Sequence, residues 1–124
     1  MKLVRIHLTL GLIWLLAGML LGEHMGRTGD HGQMPTHAHM MLLGGGLSIL
    51  WAMIYRVLGL PAGLLAWVQT ALHHISTLAM IVALYMLYGQ ISTEAAMGPV
   101  LGMASISAII SVLLVLVQSL RARL

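Results

Sequence analysis

Two pairs of histidines stand in apolar sequence: His37 and His39, opening the stretch "HAHMMLLGGG", and the adjacent His73 and His74 within "WVQTALHHISTLAM". Ionisable side chains inside long apolar runs are rare and mark functional positions by default, each with an expected partner on a neighbouring helix. An imidazole there can ligate a metal, pass a hydrogen bond, or sit neutral against a hydroxyl or a carbonyl. On a regular helix, turning about 100° per residue, His37 and His39 diverge by about 200° and face opposite sides. They suit two separate ligand positions rather than one chelated ion. His73 and His74 diverge by about 100°, so one of them at most is expected to reach a given site. Zinc would favour i, i+4 spacing or cysteine partners, and the chain has no cysteine.

Haem is a ligand that takes single imidazoles from separate helices in an apolar setting. Its macrocycle fits between helices and its iron accepts an imidazole on each axial side. Without cysteine a covalent c-type linkage is excluded, and a non-covalent b-type haem is the natural candidate. Gly44, Gly45 and Gly46 follow His39 by five to seven residues and are expected to open a slot beside the helix. Close crossing of two helices is the other use of such a run. The cofactor-binding candidates are therefore His37, His39, Gly44, Gly45 and Gly46, and the candidate metal ligands are His37, His39, His73 and His74. His7 lies near the end of an apolar segment, where it can snorkel to the interface and needs no role. His24 and His31 fall in "EHMGRTGDHGQM", a polar stretch whose His, Met, Asp and Glu could take copper but which a solvated loop carries anyway.

These residues need elements to position them, and composition says which. The 124 residues are 60% hydrophobic and 7% charged, with a mean hydropathy of +0.98. A water-soluble domain is closer to about 45–50% apolar and about 25% charged. Crossing hydrocarbon as a helix takes about 20 apolar residues. Four such spans are expected, at about 3–22, 37–58, 62–88 and 96–120, forming one transmembrane domain over 1–124. The first resembles a secretory signal, but its core is long and "LLGEHMG" is a poor cleavage site, so it is read as a helix. Five of the six basic residues, Lys2, Arg5, Arg56, Arg121 and Arg123, lie at the N-terminus, the second loop and the C-terminus, while the first loop carries Arg27 with Glu23 and Asp30, and the third only Glu94. The positive-inside rule then places both termini in the cytoplasm and the 23–36 loop outside, in the periplasm if the source is bacterial. Small residues recur four apart, at Gly18/Gly22/Gly26, Gly98/Gly102, Ala104/Ala108 and Ser107/Ser111, and suit close packing in lipid. With no basic run longer than two, nucleic acid binding has no support.

"HAHMMLLGGGLSILWAMIY" resembles the histidine-bearing helix of the heme-copper oxidase catalytic subunit and its nitric oxide reductase relatives. There an H-x-H near the outer end of a helix precedes an apolar, glycine-bearing run that ends in aromatic residues. The resemblance covers about twenty residues and implies that His37 and His39 are axial ligands of two haems on opposite sides of the helix, with Tyr55 at the family's inner aromatic position. The family's large subunit has twelve helices in three four-helix units, so the resemblance implies an all-α, integral membrane four-helix bundle able to rebuild that ring as a homotrimer. His73 and His74 match the family's adjacent copper-binding pair but lie deeper. The fourteen residues from His74 to Tyr88 put them about 20 Å below the outer end. The spans contain no Asp or Glu, so proton pumping is not expected.

The leading expectation is a membrane b-type haem protein in electron transfer or small-gas (O2 or NO) redox chemistry. It would sit in the lipid bilayer, in a bacterial inner membrane, with a redox partner. A copper-handling membrane protein is the alternative, since Met and neutral imidazole suit Cu(I). A cofactor-free structural or assembly subunit is the third.

Overall fold

The computed structural model describes residues 1–122. Arg123, one of the charges used for orientation, lies outside the described residues. Four helices are long and apolar enough to cross a membrane: Lys2–Thr28, Met34–Val57, Leu64–Tyr88 and Glu94–Arg121. The first is α1. The second is composite, with α2 over Met34–His39, a π-helical segment over Met40–Leu47 and α3 over Ser48–Val57. The third and fourth are α4 (Leu64–Tyr88) and α5 (Glu94–Arg121).

The first span outlasts its apolar run. The expected loop at 23–36 is helical as far as Thr28, and the connection is only 29–33. Local polar contacts carry the extra turn: Arg27 pairs with Glu23 at 3.2 Å, and the Thr28 hydroxyl donates to the His24 carbonyl at 2.9 Å. Gly29, at φ 74°, then closes the helix by donating its N–H to the Met25 carbonyl, the left-handed cap that glycine adopts without strain. Thr93 starts α5 by accepting the Ala96 N–H at 3.2 Å, with Glu94 in the first turn where the helix dipole favours a negative charge.

The bundle is polar inside and apolar outside. Leu12, Ile13, Leu16, Met19 and Leu20 of α1 and Ile106 and Ile109 of α5 are exposed, while His7, Ser48, Gln69, His73, Thr77 and Ser111 are buried. In hydrocarbon the apolar side chains have no reason to hide, whereas polar groups find partners only in the interior. One apolar cluster joins Leu3, Trp51, Tyr55, Leu60, Ala66 and Val115, which brings the start of α1 and the end of α5 to the same end of the bundle. A second, of Met80, Leu84 and Ala104, lies between α4 and α5.

The α1 crossing with the second span is closed by glycines on both sides. A Cβ on Gly44 would stand 2.6 Å from Trp14 Cγ, and one on Gly18 would stand 2.7 Å from Met41 Sδ. At Gly45 the Leu15 side chain occupies the space. Among the described residues, Gly98 and Gly102 of α5 have nothing within 4 Å of such an atom, so their spacing packs none of the described helices. Three successive glycines favour the α-helix least, and the chain takes π geometry there, with its wider i→i+5 turns.

Candidate functional site

His37 and His39 sit at the end of the second span near the 29–33 connection, one on each side of it. His39 Nδ1 lies 2.8 Å from the Pro35 carbonyl oxygen, and His37 Nδ1 lies 2.8 Å from the Gly18 carbonyl oxygen on α1. A carbonyl oxygen only accepts, so in each ring Nδ1–H is the donor. With Nδ1 carrying a proton, Nε2 is the nitrogen left to offer a lone pair to a ligand. This is the polarity of a metal-ligating histidine, whose other N–H is tied to a carbonyl or carboxylate. The surroundings of the two rings differ. His37 fills a notch in α1 where a Cβ on Gly22 would be 2.7 Å from its Cε1. His39 lines an open groove of about 600 Å³ between the second span and α5, with Leu43, Gly46 and Met80 along it and Ser105 and Ala108 across it. Of the three glycines, Gly46 faces this groove, whereas Gly44 and Gly45 pack under Trp14 and Leu15 of α1.

The second locus lies deeper and contains three histidines. His7 is completely buried rather than snorkelled, since α1 enters the bundle with that face against α4. Its ring centroid is 5.9 Å from that of His73 and 4.9 Å from that of His74. Both rings of the adjacent pair therefore lie beside His7, although they leave α4 about 100° apart. A ring brought in from another helix between two side chains 100° apart touches both, which helix geometry alone does not anticipate.

Hydrogen bonds settle the protons in this group. Thr70 donates its hydroxyl to the Ala66 carbonyl at 2.8 Å, so it receives from His7 Nε2–H at 3.1 Å. His7 Nδ1 is then an acceptor, filled by His74 Nε2–H at 3.0 Å. The indole of Trp51 can only donate, so His73 Nδ1 accepts from it at 3.3 Å, and His73 Nε2–H donates to Ser48 Oγ at 2.7 Å. Both nitrogens of His73 are thus committed within the chain. Among the described residues no three His, Asp or Glu side chains are arranged to hold a metal ion.

Around this group runs a polar network toward the end where α1 starts and α5 ends. The Tyr55 ring stacks on His7 at 5.7 Å. Its hydroxyl donates to Gln69 Oε1 and receives from Gln118 Nε2, each at 3.1 Å. Gln69 Nε2 donates in turn to Ser111 at 3.0 Å. Sequence reasoning singled out none of Ser48, Trp51, Gln69 and Gln118 for a role, and Ser111 only for close packing. Their signal was a polar stripe at helical period, Gln69–His73–Ser76–Thr77 on α4 and Ser48–Trp51–Tyr55 on the second span, which apolar periodicity does not report.

Near the 29–33 connection, His24 of α1 lines a polar hollow of about 400 Å³ with Asp30 and Gln33, and His31 Nδ1 donates to the Gly29 carbonyl at 3.0 Å. Comparison with family models, curated proteins and solved structures gave no match for this chain.

Proposed function

We propose that this chain is a membrane-embedded b-type haem protein in which His39 would hold the haem iron, serving electron transfer or small-gas redox chemistry. One observation carries the reading: a histidine whose Nδ1–H is spent on the Pro35 carbonyl, leaving Nε2 for a ligand, stands in an apolar groove of about 600 Å³. That volume lies within the range of about 300–1,000 Å³ typical of small-molecule and cofactor sites. The donor set fits the group, since the imidazole is oriented by the Pro35 carbonyl and the groove wall is largely aliphatic, with Gly46 and Ala108 among its lining residues.

A bound haem would supply a one-electron iron centre whose potential depends on its axial ligands and its exposure. The chain's own residues do the rest. Pro35 holds the imidazole plane, Gly46 leaves room beside it, and Leu43 and Met80 keep water from its edge. His37 has the same ring polarity but lies in the α1 notch, so it serves a second group only on the opposite side of the span. The groove is open on its outward side, and in this reading it is covered by another copy of the chain. A homotrimer, with the unpartnered Gly98 and Gly102 of α5 near its contacts, is the assembly that the oxidase resemblance implies. The same resemblance and the loop charges support termini on the cytoplasmic side of a bacterial inner membrane.

The experiment is a reduced-minus-oxidised visible spectrum of the protein purified after expression with ample haem, for wild type, His39→Ala and His37→Ala. A Soret band lost in His39→Ala is expected. A colourless wild-type protein would end the haem reading, and copper without iron on elemental analysis would favour the copper-handling alternative.

A further inference from the structure

Two buried polar atoms of the bundle interior have no hydrogen-bond partner among the described residues: His74 Nδ1 and Thr77 Oγ1. The tautomers derived above identify the first. Because His74 Nε2 carries the proton that fills His7 Nδ1, and a neutral imidazole has one N–H, His74 Nδ1 is a bare lone pair. Thr77 is completely buried and follows His74 by three residues on α4. Side chains at that spacing share a helix face, with Cβ atoms about 5–6 Å apart. A water bridging two polar atoms needs each within hydrogen-bond distance, about 2.7–3.2 Å. Native interiors answer an unfilled buried acceptor with an ordered water, and two neighbouring unfilled atoms are the usual surroundings of one.

We propose that His74 Nδ1 and Thr77 Oγ1 bind one water molecule inside the bundle. The water donates a hydrogen to His74 Nδ1 and shares a second bond with the Thr77 hydroxyl. A metal ion would compete for the same lone pair, but no further ligands converge on it: His7 and His73 have both nitrogens engaged, and no group of three ligating side chains forms among the described residues. The bound water completes a directional string. Water donates to His74, His74 to His7, His7 to Thr70, and Thr70 to the Ala66 carbonyl, so every donor points toward the end where α1 starts and α5 ends. This arrangement does not depend on haem.

The test is magnetic resonance of the full chain in lipid nanodiscs, with nitrogen-labelled imidazole rings and metal removed by chelation, for wild type, Thr77→Val and Thr77→Ser. The wild type should show His74 protonated at Nε2, with its bare Nδ1 in contact with a water proton. Thr77→Val keeps the shape and removes the hydroxyl, so the His74 Nδ1 resonance should move and the water contact weaken, while His73 stays in place. Thr77→Ser should restore both. The proposal is overturned by a proton on His74 Nδ1, by the absence of water contact in the wild type, by a Thr77→Val spectrum matching wild type, or by a resonance that changes when metal is stripped. If the valine variant does not fold, the wild-type spectrum alone decides.

Discussion

Replacing Gly44 by alanine tests how the α1 crossing is held together. The added Cβ would stand 2.6 Å from Trp14 Cγ, 2.8 Å from Trp14 Cβ and 3.0 Å from Trp14 Cδ1. Turning the indole cannot relieve this, because Trp14 Cβ is bonded to the α1 backbone. The two spans must therefore part by several tenths of an ångström over a buried contact. Overpacking of this kind costs about 1–3 kcal/mol. Alanine also favours helix over glycine, by up to about 1 kcal/mol, which hides part of the loss. Gly26→Ala of α1 supplies the correction, since among the described residues nothing lies within 4 Å of a Cβ at that position. The difference between the two variants should be about 1–3 kcal/mol, with Gly44→Ala the less stable. The assay is reversible unfolding in mixed detergent followed by helical circular dichroism. If the two variants differ by less than about 0.5 kcal/mol, α1 and the second span are not in the close contact described.

Other substitutions probe the remaining contacts. His73→Leu strands the Ser48 hydroxyl and the Trp51 N–H in the interior and should cost about 1–3 kcal/mol for each in the same unfolding assay. Tyr55→Phe removes the donor to Gln69 while Gln118 keeps its bond to the Leu114 carbonyl, so a single penalty of about 1–3 kcal/mol is expected. Gly22→Ala places a Cβ 2.7 Å from His37 Cε1, and a ring on a rotatable side chain can swing away. The expected result is a small stability change with loss of the His37–Gly18 hydrogen bond, read from the His37 ring resonances. An unmoved His37 signal would show that the ring does not occupy the notch.

How much of this was legible depends on the kind of contact. The four spans followed from apolar length, and their central portions coincide with the helices. The end of α1 did not, because Glu23, Arg27 and Thr28 continue a helix through local polar bonds that hydropathy counts as loop. The two directions of His37 and His39 followed from residue spacing. Of the two uses considered for the glycine run, close crossing applies to Gly44 and Gly45, and Gly46 alone faces the groove. The buried position of His7 had no local signature, since a histidine six residues from the N-terminus reads the same whether its helix face meets lipid or α4.

The sequence by itself determined the number of long apolar helices and which histidines stand within apolar runs, because each depends on a run of neighbouring residues. Tertiary structure decided which rings meet and which nitrogen keeps its lone pair. Those facts rest on contacts such as His7 with His74, 67 residues apart, and on the Gly18 carbonyl of α1 that ties Nδ1 of His37, whereas the Pro35 carbonyl that ties His39 is local, four residues away. Burial turns such contacts into chemistry. With water excluded, each donor must find an acceptor within the bundle, so the position of one carbonyl fixes the proton on the next ring.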